Sequence, residues 1–235
     1  RREEIIFLDT ETSGLAGGTG TFAFMIGLGY FTDHAFKLVQ LFMRDPSEEP
    51  GLLAGMHHFL GNFKAVVTFN GKSFDIPLLN ARHVINGFTS PFQDIMHIDL
   101  LPLARRLWRN RLPSRALKDL EVEILDVHRT QEEVPGWMVP ELYYNYLRFG
   151  QTAPLSGVFY HNGLDVVSMA ALFNYTAALL SHPLQNSHVD SLDLIAIARL
   201  YDNLDRVEEA IQIYEKSLEQ GLPLSFFQET ILRFA

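Results

Sequence analysis

The chain has 235 residues, of which 47% are apolar and 20% are charged, and this near-average composition excludes intrinsic disorder and collagen-like or coiled-coil architectures. It contains no cysteine, which excludes disulfides, zinc sites built from thiolates and cysteine nucleophiles. The net charge of −9 argues against a protein that coats nucleic acid by bulk electrostatics. No run reaches the roughly 18 apolar residues of a membrane span and the first residues lack the apolar stretch of a signal peptide, so we expect a cytoplasmic protein that does not enter a membrane.

Three strands are predicted at the start of the chain, over residues 5–9, 21–31 and 36–43, from their apolar, aromatic and β-branched side chains. The connections between them are short and rich in turn residues, at 17–20 and 32–34. Short connections join neighbouring antiparallel strands, so we expect an antiparallel three-strand meander.

The next segments alternate between helix and strand. Apolar periodicity predicts helices over 50–63 and 76–86 and strands over 65–69 and 96–100, and residues 101–180 are mostly helical. This order of elements resembles the ribonuclease-H-like architecture. We therefore expect an α/β fold in which helical crossovers extend the meander into parallel strands, giving a mixed sheet flanked by helices.

A domain boundary is predicted near His182-Pro183, which gives one domain over 1–183 and a helical segment over 190–235. Small and large apolar residues in this segment recur as in one tetratricopeptide repeat of about 34 residues, at Leu194, Ile197, Ala198, Tyr201, Ala210, Tyr214, Ser217 and Leu218. An ordinary helical hairpin remains the alternative. The chain stops at Phe234-Ala235 within an apparent further helix, so we expect a truncated repeat segment. We also expect that deleting everything after Leu184 leaves a folded core.

Acidic residues follow or precede three of these elements. Asp9 and Glu11 stand at the end of the first strand, on one face and about 7 Å apart, a spacing that lets both carboxylates reach the same cation. Asp75 precedes a helix, and Asp165 opens the apolar helix that continues to about Leu180. Helix capping is the alternative role for Asp75 and Asp165.

Together, the three segments resemble the three exonuclease motifs of the DEDD superfamily, the ribonuclease-H-like 3′–5′ exonucleases. The matching residues are Asp9-x-Glu11, Asn70-x3-Phe74-Asp75 and His161-x3-Asp165. Within that superfamily the chain most resembles the YprB-like ribonuclease-H-like proteins, over about residues 4–181, and members of that family can carry tetratricopeptide-like repeats after the nuclease-like domain. In the tyrosine subfamily a tyrosine has the spacing that His161 has here, and in the histidine subfamily a histidine stands one residue further from the last aspartate, where this chain has Tyr160. Both residues therefore stay candidates for the proton-handling role.

The resemblance implies a metal-dependent nuclease, a 3′–5′ exonuclease that hydrolyses phosphodiester bonds of DNA or RNA at a single-stranded 3′ end. Carboxylates that share one cleft repel one another, and hard divalent ions such as Mg²⁺ or Mn²⁺ relieve that repulsion. The implied ligands of two such ions are Asp9, Glu11, Asp75 and Asp165, with His161 as the catalytic side chain beside the attacking water. If the last helix already includes the turn before Asp165, His161 lies over Asp165 because residues four apart differ by about 40° around the axis.

Other residues are candidates for holding the substrate. The motifs assign this role to Thr10, Asn70 and Phe74. Arg105 and Arg109 belong to a basic run up to Lys118 that either follows a phosphate backbone or forms a solvated helix face. The alternative function is a catalytically weak ribonuclease-H-like scaffold whose repeat segment recruits a protein partner.

Overall fold

The computed structural model describes residues 1–14, 20–129, 134–185 and 189–221. The turn predicted at 17–20, apart from Gly20, and the helix predicted at the end of the chain lie outside these residues.

A five-stranded mixed sheet forms the centre of the fold. Its strands are β1 (Ile5–Thr12), β2 (Ala23–Phe31), β3 (Phe36–Phe42), β4 (Ala65–Thr68) and β5 (Met96–Asp99), in the order β3-β2-β1-β4-β5. The pairs β1/β2 and β2/β3 are antiparallel, whereas β1/β4 and β4/β5 are parallel. The predicted α/β architecture of a meander extended by parallel strands is therefore confirmed.

Eight α-helices accompany the sheet in the described residues. They are α1 (Glu49–Leu60), α2 (Asp75–Ile85), α3 (Leu100–Trp108), α4 (Leu117–Glu123), α5 (Val139–Phe149), α6 (Leu155–Ser181), α7 (Ser191–Asp202) and α8 (Val207–Glu219). The central strand β1 buries three consecutive apolar residues, Ile6, Phe7 and Leu8. A strand covered on both faces reads as such a continuous apolar run.

Helix α6 begins ten residues before Asp165, so the prediction that Asp165 opens this helix is wrong. Asn162 and Gly163 suggested a helix start, but both fit inside the helix. Asn162 is fully buried and hydrogen-bonded to the sheet. A side chain at Gly163 would crowd Leu38 of β3, so this glycine lets α6 approach the sheet closely.

By length and composition α6 would be able to cross a membrane. It instead packs against the sheet in the first part of its length, where Val166 lies close to Gly29 of β2. The core helix of a globular domain has the same length and composition, and we interpret α6 as such a helix.

The chain divides into two compact units. The first contains residues 1–100 and 127–171, and the second contains 101–126 together with the described chain from residue 172. In the second unit α7 and α8 pack against each other, and most of the apolar positions predicted to face inward are buried, among them Leu194, Tyr201 and Tyr214. The assignment of this pair as a tetratricopeptide repeat and the domain boundary at 183–190 stay predictions.

Candidate active site

The four predicted acids all belong to the first unit, where three elements carry them. Asp9 and Glu11 lie in the second half of β1, beyond its pairing with β4 and opposite Gly27 and Met25 of β2. Asp75 is the first residue of α2, which follows β4, and Asp165 lies in the interior of α6. The carboxyl ends of the parallel strands β1 and β4 meet at one edge of the sheet, which is where ligands bind in open α/β sheets.

The four carboxylates act on one another electrostatically. Burial raises the pKa of Asp9 well above its ordinary value, and the charges of Asp165, Glu11 and Asp75 raise it further. Burial likewise raises the pKa of Glu11 from its ordinary 4.5 to about 8, and the charges of Asp165 and Asp75 add to that rise. Carboxylates that repel one another in this way lie near each other in the fold. The structure therefore gathers the four predicted acids into one acidic cluster.

Asp75 is tied to β1 by a hydrogen bond. The Thr10 hydroxyl donates to Asp75 Oδ1 at 2.5 Å. Burial raises the pKa of Asp75 to about 6, and this hydrogen bond opposes the rise. Asp75 thus contacts the strand that carries Asp9 and Glu11, which is a more specific role than helix capping.

Asn162 connects α6 to the sheet. Its Nδ2 donates to Asp9 Oδ2 at 2.9 Å, and its Oδ1 accepts from Gln40 Nε2 at 3.0 Å. The same Gln40 amide donates to the Phe159 carbonyl at 2.8 Å. Gly27 of β2 lies opposite Asp9, and a side chain there would overlap the Asn162 amide. The glycine therefore leaves the space that Asn162 needs to hold Asp9.

Asp165 is flanked by two side chains. His161 Nε2 lies 3.6 Å from Asp165 Oδ2, one helical turn away, which is the geometry expected if α6 includes that turn. Arg129 Nη2 donates to Asp165 Oδ1 at 2.6 Å, and Arg129 Nη1 lies 3.3 Å from His161 Nδ1. The Arg129 side chain is only 6% exposed, so a buried guanidinium sits within the acidic cluster.

The loop between β4 and α2 is held by the end of β5. The Asp99 carboxylate accepts from the backbone N–H of Asn70 at 2.7 Å and from that of Lys72 at 3.0 Å. Asn70 has a left-handed backbone with a φ of 67°, a conformation that asparagine tolerates better than most residues. This predicted substrate residue therefore shapes the loop that leads to Asp75.

The remaining candidates lie in different surroundings. Phe74 precedes Asp75 and is 58% exposed, and Tyr160 is half-buried on α6. Arg105 on α3 and Arg109 directly after it are exposed and belong to the second unit, so the first unit does not bring them to the acidic cluster by itself.

Oxygen donors of this kind suit Mg²⁺ and Mn²⁺. Among the described residues, however, no three Asp, Glu or His side chains are close enough to ligate one ion. The chemistry of the donors fits a hard cation, and Arg129 supplies one positive charge, beside Asp165.

The sequence analysis missed Arg129, Asn162, Gln40 and Asp99. Asn162 lies inside the third motif, between His161 and Gly163, and its position next to a glycine favoured a helix start instead. Arg129 and Gln40 stand in no motif, and only the folded chain brings them to the cluster.

Comparisons with known proteins agree with this architecture. A solved structure of the family B DNA polymerase from the hyperthermophilic archaeon Pyrobaculum calidifontis superposes with a TM-score of 0.53 and 15% identity, covering 83% of this chain and 25% of the polymerase. This similarity supports the fold alone.

YprB of Bacillus subtilis (strain 168) is 30% identical over 225 residues, which is 94% of this chain. The match covers 53% of YprB, so the chain spans about half the length of this relative. A family model of the RNase_H superfamily matches residues 6–177, which include the sheet and all four acids. The chain therefore belongs to the RNase_H superfamily.

Proposed function

We propose that the chain is a metal-dependent nuclease, a 3′–5′ exonuclease that hydrolyses phosphodiester bonds of DNA or RNA. The observation that carries the proposal is the acidic cluster: four carboxylates from three distant segments meet beside His161 at the carboxyl edge of the sheet. Membership of the RNase_H superfamily supports a nuclease. The DNA polymerase among the structural neighbours agrees with a nucleic acid partner.

Asp9, Glu11, Asp75 and Asp165 would hold the divalent ions. Two such ions, about 3.5–4 Å apart, would stabilise the charge on the attacking and leaving oxygens of the phosphodiester. The raised pKa values of Asp9 and Glu11 mark carboxylates that lack compensating charge, which is the property expected of ligands that a cation stabilises.

The other side chains position these groups and handle the proton. His161 would accept the proton of the attacking water, since an imidazole nitrogen beside Asp165 can act as a general base, and Tyr160 stays the alternative. Asn162 orients Asp9 and Thr10 orients Asp75 through the hydrogen bonds described above. The exposed Phe74 ring offers a surface on which the terminal base of a single-stranded 3′ end would stack. In this proposal Asn70 in the adjacent loop contacts the backbone of the same strand, while the substrate roles of Arg105 and Arg109 stay predictions from the sequence.

The test uses 5′-labelled single-stranded and duplex DNA and RNA, incubated with the purified chain and Mn²⁺, Mg²⁺ or EDTA. A 3′–5′ exonuclease gives a ladder of shortened labelled products that EDTA abolishes. Asp9→Asn and Asp165→Asn should each lower the rate at least about 100-fold, whereas Asp33→Asn, an exposed acid in the β2–β3 turn, should keep it. Unchanged cleavage by both site variants would refute the assignment.

A second function is a catalytically weak RNase_H-like scaffold whose helix pair α7–α8 recruits a protein. It is favoured because the described residues contain no group of three Asp, Glu or His side chains that could ligate one metal ion. The same assay separates the two functions, because a scaffold binds Mn²⁺ poorly and leaves every oligonucleotide intact.

A further inference from the structure

We propose that Arg129 is a cation of the chain itself that neutralises Asp165 in the acidic cluster. A divalent ion then binds only after the Arg129 side chain has moved away from Asp165. This inference rests on the proposed function and adds a regulatory contact to it. Arg129 donates to Asp165 at 2.6 Å from a side chain that is only 6% exposed. The contact therefore belongs to the interior of the site.

The charge of Arg129 offsets part of the negative charge of the acidic cluster. Asp165 is one of the acids that repel both Asp9 and Glu11. The Arg129 cation, bonded to Asp165 at 2.6 Å, therefore reduces the repulsion within the cluster. A guanidinium stays protonated in proteins, so its charge is permanent. A buried carboxylate that loses such a partner is strongly destabilised.

Arg129 also engages His161. Arginine has only N–H donors, so at the 3.3 Å contact the His161 Nδ1 atom must be the acceptor. The proton of the neutral imidazole is then on Nε2, which faces Asp165 at 3.6 Å. In this arrangement the ring has no open lone pair for a proton from water, and one Asp165 oxygen is bonded to Arg129. Arg129 thus contacts both Asp165, which is proposed to bind metal, and His161, which is proposed to accept the proton.

A divalent ion and Arg129 cannot both bind Asp165 without strong electrostatic repulsion between them. Both are positive, both need Asp165, and like charges at such distances repel each other. Removing the positive charge of Arg129 should therefore tighten metal binding, whereas a residue that merely helps to build the site would weaken binding when removed.

The experiment measures Mn²⁺ binding by calorimetry on the full chain, freed of metal with EDTA, without any substrate. Arg129→Gln should lower the Kd for Mn²⁺ about tenfold or more, and Arg129→Lys, which keeps the charge, should stay within about threefold of the wild type. The matched control is Arg148→Gln on α5, an exposed arginine that should leave the Kd unchanged. As a second readout, Arg129→Gln should lower the melting temperature of the metal-free protein and enlarge its rise on adding Mn²⁺.

Equal or weaker Mn²⁺ binding by a folded Arg129→Gln variant would overturn the inference, and so would the absence of binding by both proteins. The cleavage assay judges the proposed function separately. Tighter binding by Arg129→Gln without cleavage of any oligonucleotide by either protein would refute the nuclease and leave the inference standing. Cleavage by the wild type together with unchanged Mn²⁺ binding by Arg129→Gln would support the nuclease and overturn the inference.

Discussion

Three of the four acids in the cluster have a named hydrogen-bond partner that sets their position. Asn162 donates to Asp9, the Thr10 hydroxyl donates to Asp75, and Arg129 donates to Asp165. A hydrogen bond to a carboxylate favours its ionised form, and burial together with the neighbouring acids disfavours it. The raised pKa values of Asp9 and Glu11 show that burial and repulsion prevail in the metal-free protein.

This balance predicts how the stability of the metal-free protein depends on pH. The unfolded chain loses the Glu11 proton near pH 4.5, whereas the folded chain keeps it until about pH 8. Between these values the folded state binds more protons, so the free energy of unfolding falls as the pH rises. From Glu11 alone we expect a loss of about 3–4 kcal/mol between pH 5 and pH 8, seen as a melting temperature lower by roughly 6–16 °C in EDTA.

Thermal unfolding followed by circular dichroism measures this effect. Glu11→Gln should reduce the slope of the pH profile, because the amide does not titrate, whereas Asp9 and Asp75 still contribute. Asp33→Asn should retain the slope of the wild type. Added Mn²⁺ should stabilise the wild type most at pH 8, where the carboxylates are ionised. A flat profile in the wild type would contradict the raised pKa of Glu11.

At the residue scale the sequence predicts the acids better than their partners. Asp9, Glu11, Asp75 and Asp165 stand in motifs with fixed spacing, and the structure gathers them. His161 lies one turn from Asp165 because α6 includes that turn, as the spacing argument required. Arg129 is 36 residues from Asp165 in the chain and stands in no motif, so only the tertiary fold reveals its role.

Among the elements, α6 depends on glycines for its contact with the sheet. Gly27 and Gly29 of β2 face Asn162 and Val166 of the helix, and Gly163 of the helix faces Leu38 of β3. Small residues on both surfaces let the helix approach closely enough for the Asn162 amide to reach Asp9. An asparagine followed by a glycine is a turn signal in sequence terms, which explains why the start of this helix was misplaced.

Gly27→Ala tests this close approach. The new methyl group would overlap the Asn162 amide in a closely packed interior, so we expect a loss of about 2–3 kcal/mol in the free energy of unfolding and weaker Mn²⁺ binding. Gly51→Ala is the matched control, since nothing lies within 4 Å of a methyl group at this position on α1. An alanine in a helix is favoured over glycine, so this control should be neutral or slightly stabilising. Urea denaturation measures both variants.

If overlap with Asn162 causes the loss of stability in Gly27→Ala, the effects of substitutions at positions 27 and 162 on the free energy of unfolding are coupled. The cost of Gly27→Ala should shrink by at least about 1 kcal/mol in an Asn162→Ala background, because the amide that it meets is gone. Additive effects in this double-mutant cycle would show that Gly27 is needed for another reason.

For the whole molecule, the order of elements predicts the sheet but not the grouping of the helices. The meander and the parallel extension follow from short and helical connections, which are local features. The second compact unit combines residues 101–126 with the chain after residue 171, and no local pattern predicts this pairing. Arg111 and Asp193 illustrate the point, because they form an ion pair at 2.8 Å across 82 residues of sequence.

This grouping changes the expectation for a chain that ends at Leu184. The sequence predicts that such a chain keeps a folded core, since the later helices resemble a separate repeat. In the structure Asp193 is buried and paired with Arg111, and the Tyr201 hydroxyl donates to the Leu180 carbonyl at 2.5 Å. Truncation removes both partners and uncovers apolar surface that contributes about 1.5–3 kcal/mol for each large side chain.

We therefore expect the chain 1–184 to melt at least roughly 10 °C below the full chain, or to aggregate on purification. Differential scanning calorimetry and gel filtration measure the two outcomes. Asp193→Asn in the full chain serves as the control, because it weakens the ion pair without uncovering apolar surface and should cost only about 1–3 kcal/mol. A truncated chain that is monomeric and melts within about 2 °C of the full chain would show instead that α7 and α8 form a separable unit, as the sequence pattern suggests.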